Sequence, residues 1–488
     1  MPPGSRLMPP LPLVLPASTT IGRDGQVANA RLVNGYPEIS GEDGKSTFSI
    51  YGAPGLTRWD TGSFAGAERG LIELSSNELI AFLGNQVVSF DAVGAGTVLG
   101  NLVGSGRVHL SRNRASPPQI SIVTSAGQYY VLQSGVITLN ADADLPAPNS
   151  TTNLKGRTIF GIADGRFFCS AADDATSINA LAFDVADSNS DPLVRVFENA
   201  GFLYVFGARS LEIWQADPAL AGQPFPFSAV QQDIEYGLGG THTVAKFEKA
   251  LIWVDQNNIV RYGRDGSAER ASTHAVERSI ETLTTAQKAA MVGSVHAWHG
   301  HETYTLKGAT FTWCLDLPLA KKQGFERAWY MRQSYGLDHW RVNSALQFAG
   351  KYILGDETDG KLYYLDPEAY TENGADHVLE VWCPHSHRFP QRMIADAIEV
   401  DMVSGVGLNS TDSWNADPKL MVDFSDNGGK TFVGERTASF GTQGDYAQTV
   451  RLNRWGRCTK KGRIWRLRAS AAVLKAINSA SVWARPTK

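Results

Sequence analysis

Between Ile80 and Asp366 the chain returns repeatedly to one unit: a short apolar strand, a turn of Gly, Asn or Ser, and an alternating strand usually closing on Asp or Asn. The copies are IAFLGNQVVSFD from Ile80, YYVLQSGVITLN from Tyr129, LYVFGARSLEIWQ from Leu203, LIWVDQNNIVRYG from Leu251, TYTLKGATFTWCLD from Thr303 and KYILGDETDGKLYYLD from Lys351. β-Branched and aromatic residues alternate around residues that tolerate a positive φ, so each copy reads as a β-hairpin. Their starts lie 49, 74, 48, 52 and 48 residues apart. A plain sandwich turns every ~8–12 residues with no longer period, whereas a step near ~50 residues matches one four-stranded propeller blade. The expected fold is all-β: a distorted six- or seven-bladed β-propeller with a C-terminal antiparallel β-sandwich-like domain. Six and seven blades stay open because the 74-residue step holds a further hairpin-like stretch, GRFFCSAADDATSINALAFD (Gly165–Asp184). That stretch is either an extra blade or an elaboration of the third.

The period breaks in three places. AVERSIETLTTAQKAAM (Ala275–Met291) puts Val276, Ile280 and Leu283 at helical spacing, and Thr284 with Gln287 forms a capping box for a second short helix. Beyond Asp376 the strands lengthen (ADAIEVDMV, KLMVDFS, RIWRLRAS, SVWARP) and the 50-residue step disappears, which predicts a separate β domain over 377–488. Residues 1–65 are rich in Pro and Gly and are expected to form an arm and closing strands, leaving 66–376 for the propeller with its helical insertion near 275–291.

The opening MPPGSRLMPPLPLVLPAS has the outline of a signal peptide, but Pro9, Pro10, Pro12 and Pro16 interrupt the apolar run and forbid a helical core. It reads instead as an extended arm that loses little entropy on docking, or as a frayed terminus. No run approaches the ~18 apolar residues of a membrane helix, so no membrane anchor is expected. Cys169, Cys314, Cys383 and Cys458 stand 145, 69 and 75 positions apart with no C-x-x-C pair, the pattern of reduced structural thiols in a protein folded in a reducing cytoplasm.

Charge is distributed unevenly. The net charge is −4, but residues 446–488 hold 11 Lys/Arg and no acid, so the first 445 residues carry −15. A balance of −4 excludes a wholesale nucleic-acid binder, while the asymmetry points to a local basic surface for an acidic partner. That surface is RLNRWGRCTKKGRIWRLR (Arg451–Arg468), with eight basic residues in 18: Arg451, Arg454, Arg457, Lys460, Lys461, Arg463, Arg466 and Arg468. Trp455 and Trp465 lie among them, so the strip suits either phosphates with stacked bases or an acidic ring on a protein. The ordinary alternative is a solvated basic hairpin.

Catalytic signals are poor. SDNGGKTF (Ser425–Phe432) approximates the S-x-D-x-G-x-T-W box of sialidase-type propellers, with Asn427 and Phe432 at the Asp and Trp positions. Such a box is a turn device whose polar side chains satisfy backbone groups. Glu235 with Tyr236, or Asp356 with Glu357 and Asp359, offers carboxylates for glycoside hydrolysis, but acids at propeller turns ordinarily just form turns. His296, His299 and His301, and Cys383, His385 and His387, place ligand types on one face without the paired long-range spacing of a zinc site. No phosphate loop, nucleophile elbow or H-E-x-x-H pair occurs, so no catalytic, cofactor or metal residues are assigned.

Several segments in order resemble the packaged-DNA stabilization proteins, the tail hub or nozzle subunits of short-tailed bacteriophages. They are RLVNGYPEI (Arg31–Ile39), APGLTRW (Ala53–Trp59), GSGRVHL (Gly104–Leu110), VFGARSLEIWQ (Val205–Gln215), QDIEYGLGGTHTVA (Gln232–Ala245), ASTHAVERSIE (Ala271–Glu281) and the run Asn427–Arg468. The resemblance implies a non-enzymatic virion component, made in the host bacterial cytoplasm. It implies a ring, typically a hexamer, below the portal and adaptor rings, which closes the channel on packaged DNA and carries the tail needle, fibres or tailspikes. The basic strip is then expected to meet DNA or an acidic partner, and the proline arm to strap a neighbouring ring. The competing readings are a sialidase-like or carbohydrate-binding propeller and a propeller scaffold of cellular origin.

Overall fold

The computed structural model describes residues 10–39, 46–264 and 267–487. Two compact units share the chain: Arg58–Thr310 with Arg341–Leu365, and Met1–Thr57 with Phe311–Trp340 and Asp366–Lys488.

The first unit is a succession of antiparallel sheets. Five have four strands each, running through Glu68–Asn101, His109–Leu139, Ser150–Val185, Leu193–Ile234 and Ala245–Arg270. A hairpin follows (Val292–Trp298 with His301–Lys307), then the meander Val342–Phe348, Lys351–Asp356, Leu362–Asp366. Strand edges are closed by two-residue turns with both positions left-handed, as at Ala200–Gly201 (φ 51° and 86°) and Ala349–Gly350 (φ 47° and 75°). This geometry matches the twist of the strands it joins.

Burial explains why the sheets arrange as they do. The second strand of each four-stranded sheet is buried on both faces, so one sheet cannot hide its residues alone and must stack on two neighbours. Ile80 and Phe82 of the first sheet meet Ile120 and Ile122 of the second. Phe167 of the third meets Trp214 of the fourth, edge to face at 5.1 Å, and Phe206 of the fourth meets Trp253 of the fifth at 5.6 Å. The last meander returns to the first sheet: Phe348, Ile353 and Leu362 share a core with Leu79, Val88 and Phe90. Asn343 Nδ2 also donates to the Glu68 carbonyl at 3.0 Å. The stack closes on itself as a propeller.

The 74-residue step is resolved by Ser150–Val185, a complete sheet of its own, and not an elaboration of a neighbour. The uneven step has a second cause. The unit from Tyr129 is the third and fourth strand of its sheet, whereas the other five units begin at or within the second. Second strands start at Glu78, Gln119, Arg157, Phe202, Ala250, His301 and Lys351, a steadier spacing than hairpin starts show. The helical insertion forms as expected: His274–Glu281 capped by Thr273, then Thr285–Ala289 with the Thr284–Gln287 capping box complete.

The second unit holds two groups of strands. In one, Gly35–Ile39, Phe48–Gly52, Ala476–Pro486, Met393–Met402 and Val450–Arg457 pair in that order. In the other, Asn29–Val33, Leu379–Trp382, Ile464–Ala469, Lys419–Ser425 and Val433–Ser439 pair in order, with Trp329–Met331 parallel to Asn29–Val33. From Trp465 onward alternate residues of Ile464–Ala469 are buried (Trp465, Leu467, Ala469), the period of a sheet with one face inward. All four cysteines are free and buried.

Candidate interaction surface

The basic strip occupies the strand Val450–Arg457, a turn, and the strand Ile464–Ala469. The first of these pairs with Met393–Met402, with Asn453 opposite Ala397 and Gly456 opposite Ala395. Two residues, Arg454 and Trp455, therefore face the single Asp396, which makes a β-bulge. Arg454 takes a left-handed φ of 66° there. The bulge separates the side chains: Arg454 is exposed, while Trp455 turns inward against Trp465, edge to face at 5.1 Å. Its indole Nε1 donates to the Leu452 carbonyl at 2.8 Å. Both tryptophans are thus core, not stacking platforms.

The return side of the strip is neutralised by acids far away in sequence. Arg463, 1% exposed, binds Asp426 through two hydrogen bonds of 2.8 Å and donates to the carbonyls of Trp455 and Arg457. Its guanidinium lies 3.5 Å from the Phe424 ring centroid. Arg466 binds Asp423 through two hydrogen bonds of 2.9 and 2.5 Å and covers Phe432. Burial opposes its charge, yet the Asp423 hydrogen bonds and the carboxylates of Glu380, Asp423 and Glu435 hold its pKa above the ordinary arginine value. Arg468 pairs with Asp423 and Glu435, and Arg451 with Glu399.

The remaining cations are differently placed. Arg454, Arg457 and Lys460 are exposed and make no ion pair among the described residues, and Lys461 reaches only Gln26 Oε1 at 2.9 Å. Arg436, which the sequence reading missed, joins them: it donates to the carbonyls of Asn453 and Arg454 and sits 4.8 Å from the Trp455 ring. The local signal for it was weak, one Arg in the exposed strand Val433–Ser439 beside Glu435. The eight-residue strip is therefore a paired half and an unpaired half, and the absence of nearby acids in sequence did not foretell the pairing.

The arm is placed in part. Pro9 lies outside the described residues. Leu11–Leu13 forms an antiparallel strand on Ala476–Pro486 of the same chain, with Pro12 opposite Ser481. Pro12 is exposed, Pro10 half-buried and Pro16 buried. A proline is tolerated there because an edge strand need not donate outward. The surface on which this segment docks is thus the chain's own sheet.

The other candidates resolve into structural roles. In SDNGGKTF, Ser425 Oγ accepts from the Gly429 N–H at 2.8 Å, and Asn427 Oδ1 accepts from Lys430 and Thr431 at 3.1 and 3.0 Å. Phe432 packs on Trp382 at 4.6 Å. Asp356 Oδ1 accepts the Thr358 and Asp359 N–H groups, Arg341 bridges Asp356 and Asp359, and Glu357 pairs with Lys307 at 2.7 Å. Glu235 is exposed, and Tyr236 lies under the Arg261 guanidinium at 4.3 Å. His296 is buried and stacked on Trp298, His299 occupies a left-handed turn position at φ 42°, and Trp298 also stacks on His301. Cys383 is buried, which pushes its thiol up, His387 lies near the Gly462 turn, and His385 Nε2 lies 2.8 Å from the Gly25 carbonyl. Among the described residues no three His, Cys, Asp or Glu side chains converge at metal-binding range.

A family model described as "Bacteriophage P22 Gp10, beta-propeller" matches residues 19–370, and another described as "Bacteriophage P22 Gp10, beta-sandwich" matches residues 380–485. No curated protein matches the chain. Among solved structures, the WD40 β-propeller domain of Doa1 is similar at 11% identity and TM-score 0.39, over 64% of this chain and 96% of that one. A streptogramin B lyase is similar at 11% identity and TM-score 0.44, over 63% and 96%. The computationally designed Ika8 protein is similar at 10% identity and TM-score 0.39, over 72% and 100%. Likeness at this level carries no functional argument.

Proposed function

The chain belongs to the bacteriophage P22 Gp10 family, and from that premise we propose that this phage tail structural protein is the hub or nozzle subunit that closes the portal channel on packaged DNA. In this reading it works without catalysis, as one copy in a homo-oligomeric ring, typically a hexamer, between the portal–adaptor complex and the tail needle, fibres or spikes. The unit Arg58–Thr310 with Arg341–Leu365 supplies the propeller body, and residues 377–488 carry the basic docking surface.

One observation carries the proposal. Arg436, Arg454, Arg457, Lys460 and Lys461 lie on or beside one bulged strand with no carboxylate partner among the described residues. Isolated surface cations keep their full field for an incoming anion, whereas the paired Arg463, Arg466 and Arg468 have surrendered theirs. Ring formation has separate support. The outer strands of four successive sheets expose large apolar side chains: Val98, Val136 with Leu139, Leu181, and Val230. Apolar side chains left exposed on neighbouring outer strands are what a contact between copies would cover.

The test is charge reversal at Arg454 and Arg457 in virions. Particles built with R454E/R457E should contain the folded subunit and lose packaged DNA. Full DNA retention would overturn the role in closing the channel.

A further inference from the structure

The propeller unit holds a half-open cavity of about 640 Å³ that the proposed tail role does not use. The first strands of six sheets contribute to its wall, through residues such as Gly70, His109, Arg195, Lys246, Ser294 and Ser344, which places it at the centre of the ring. Central channels of propellers are common ligand positions because every blade presents a strand edge there.

The wall is rich in donors. Arg107 and Arg195 both line it, together with His109 and His242, whose rings stack 4.6 Å apart at 26°. Arg107 is balanced by Glu68, at 3.2 Å. Arg195 has no carboxylate partner among the described residues. Its Nη1 donates to the Thr241 carbonyl at 2.8 Å, and its buried Nε has no partner. Nδ1 of His109 is likewise buried without a partner, on a residue only 5% exposed. Two acids, Glu248 and Glu302, also line the cavity, with the Glu302 carboxylate accepting the backbone N–H of Glu248, while the lining Lys246 is paired with Glu198 at 2.7 Å.

Electrostatics sharpen the picture. Burial, with the nearby Arg107 charge, lowers the Arg195 pKa to about 10. Burial first, and then Arg195 and Arg107, push the His109 pKa well below its ordinary value; burial, His109 and the same two arginines do so for His242. The imidazoles are therefore neutral, each with one N–H to donate. Arg195 is half-buried, and a guanidinium whose Nε–H is shut from water without a partner is costly unless an anion compensates it. Arginine's planar fork suits a phosphoryl oxygen pair.

We propose that this central cavity binds a small phosphoryl dianion, either free phosphate or a phosphate monoester, with Arg195 as the principal ligand and Arg107, His109 and His242 completing the donor set. The site is separate from the basic strand and stands whether or not that strand meets DNA.

The experiment uses the full chain at constant ionic strength, with chloride replaced stepwise by inorganic phosphate or by glycerol phosphate. Calorimetry should show saturable binding of at least one probe, and Arg195→Gln should weaken it at least tenfold while Arg166→Gln, at a half-buried arginine paired with Asp164 away from the cavity, leaves it unchanged. Saturation by inorganic phosphate identifies free phosphate as sufficient; saturation by the monoester alone identifies an esterified ligand. Histidine ring NMR on the unmutated protein gives a second readout that does not depend on R195Q folding: the His109 and His242 signals should move with phosphate and that of the exposed His274 should not. No saturable binding of either probe up to about 10 mM, well above the millimolar constants of the weakest specific sites, would overturn the proposal. So would undiminished binding by folded R195Q, or His109 and His242 signals that ignore the ligand.

Discussion

Arg463 and Asp426 meet through two parallel hydrogen bonds, Nε to Oδ1 and Nη2 to Oδ2, each 2.8 Å long. The pair fastens the turn after Ser425 to the basic strand, because the same guanidinium donates to the carbonyls of Trp455 and Arg457. A residue that reads as interface in the sequence is a keystone of the sheet.

Its removal should cost folding stability and not docking. Arg463→Met is expected to lower unfolding free energy by about 3 kcal/mol, since it orphans Asp426 and two carbonyls. Arg454→Ala should change it by less than about 0.5 kcal/mol, as for an exposed residue without partners. Urea unfolding of the two variants checks the contrast; equal losses would refute it.

Salt dependence separates DNA from an acidic protein as the partner of the basic strand. If it binds DNA, each cation lost from the set Arg454, Arg457 and Lys460 should flatten the slope of log K against log salt by about 0.9. Fluorescence anisotropy of a labelled duplex across a salt series measures this. A slope unmoved in the triple Ala variant would leave protein as the partner.

Stability should fall as pH drops below about 6.5. His109, His242 and His377 all have pKa values well below the ordinary one, through burial first and then neighbouring cations, which for His377 are Lys475 and Arg332. In this window the unfolded chain takes up protons that the folded chain refuses. Each such histidine then costs up to about 1.4 kcal/mol per pH unit. Urea midpoints at pH 7.5, 6.5 and 5.5 should decline, and His377→Gln should remove about a third of the slope.

The arm should matter to the chain that carries it. Leu13 is 5% exposed and stands opposite Ala480. Leu13→Asp is expected to destabilise by about 3 kcal/mol, from lost burial and an unpaired buried carboxylate. Limited proteolysis should then cut near Ala476–Pro486 in the variant and not in the parent protein.

Self-association should depend on the outer strands. Leu181→Lys combined with Val136→Lys should leave circular dichroism unchanged and reduce the particle mass seen by light scattering. An unchanged mass would place the ring contacts elsewhere.

What the sequence determined by itself was everything that depends on neighbours along the chain. Short apolar runs around Ala81 or Leu251 dictate strands, residues such as Gly201 dictate turns, and Thr284 with Gln287 dictates a helix start, because each is a contest between backbone conformers decided within a few residues. The recurrence of such hairpins near ~50 residues then implied a propeller, although the phase error at Tyr129 and the whole sheet Ser150–Val185 show that a hairpin start does not say which strands of a sheet it contains. Tertiary structure alone decided the fate of charge. Asp423 and Asp426 lie about 40 positions from the arginines they neutralise, and Arg107, Arg195, His109 and His242 come together only because the stacked sheets close into a ring. Coulomb interaction and desolvation act through space, so a run of eight basic residues names a surface but not which of its members remain free to use it.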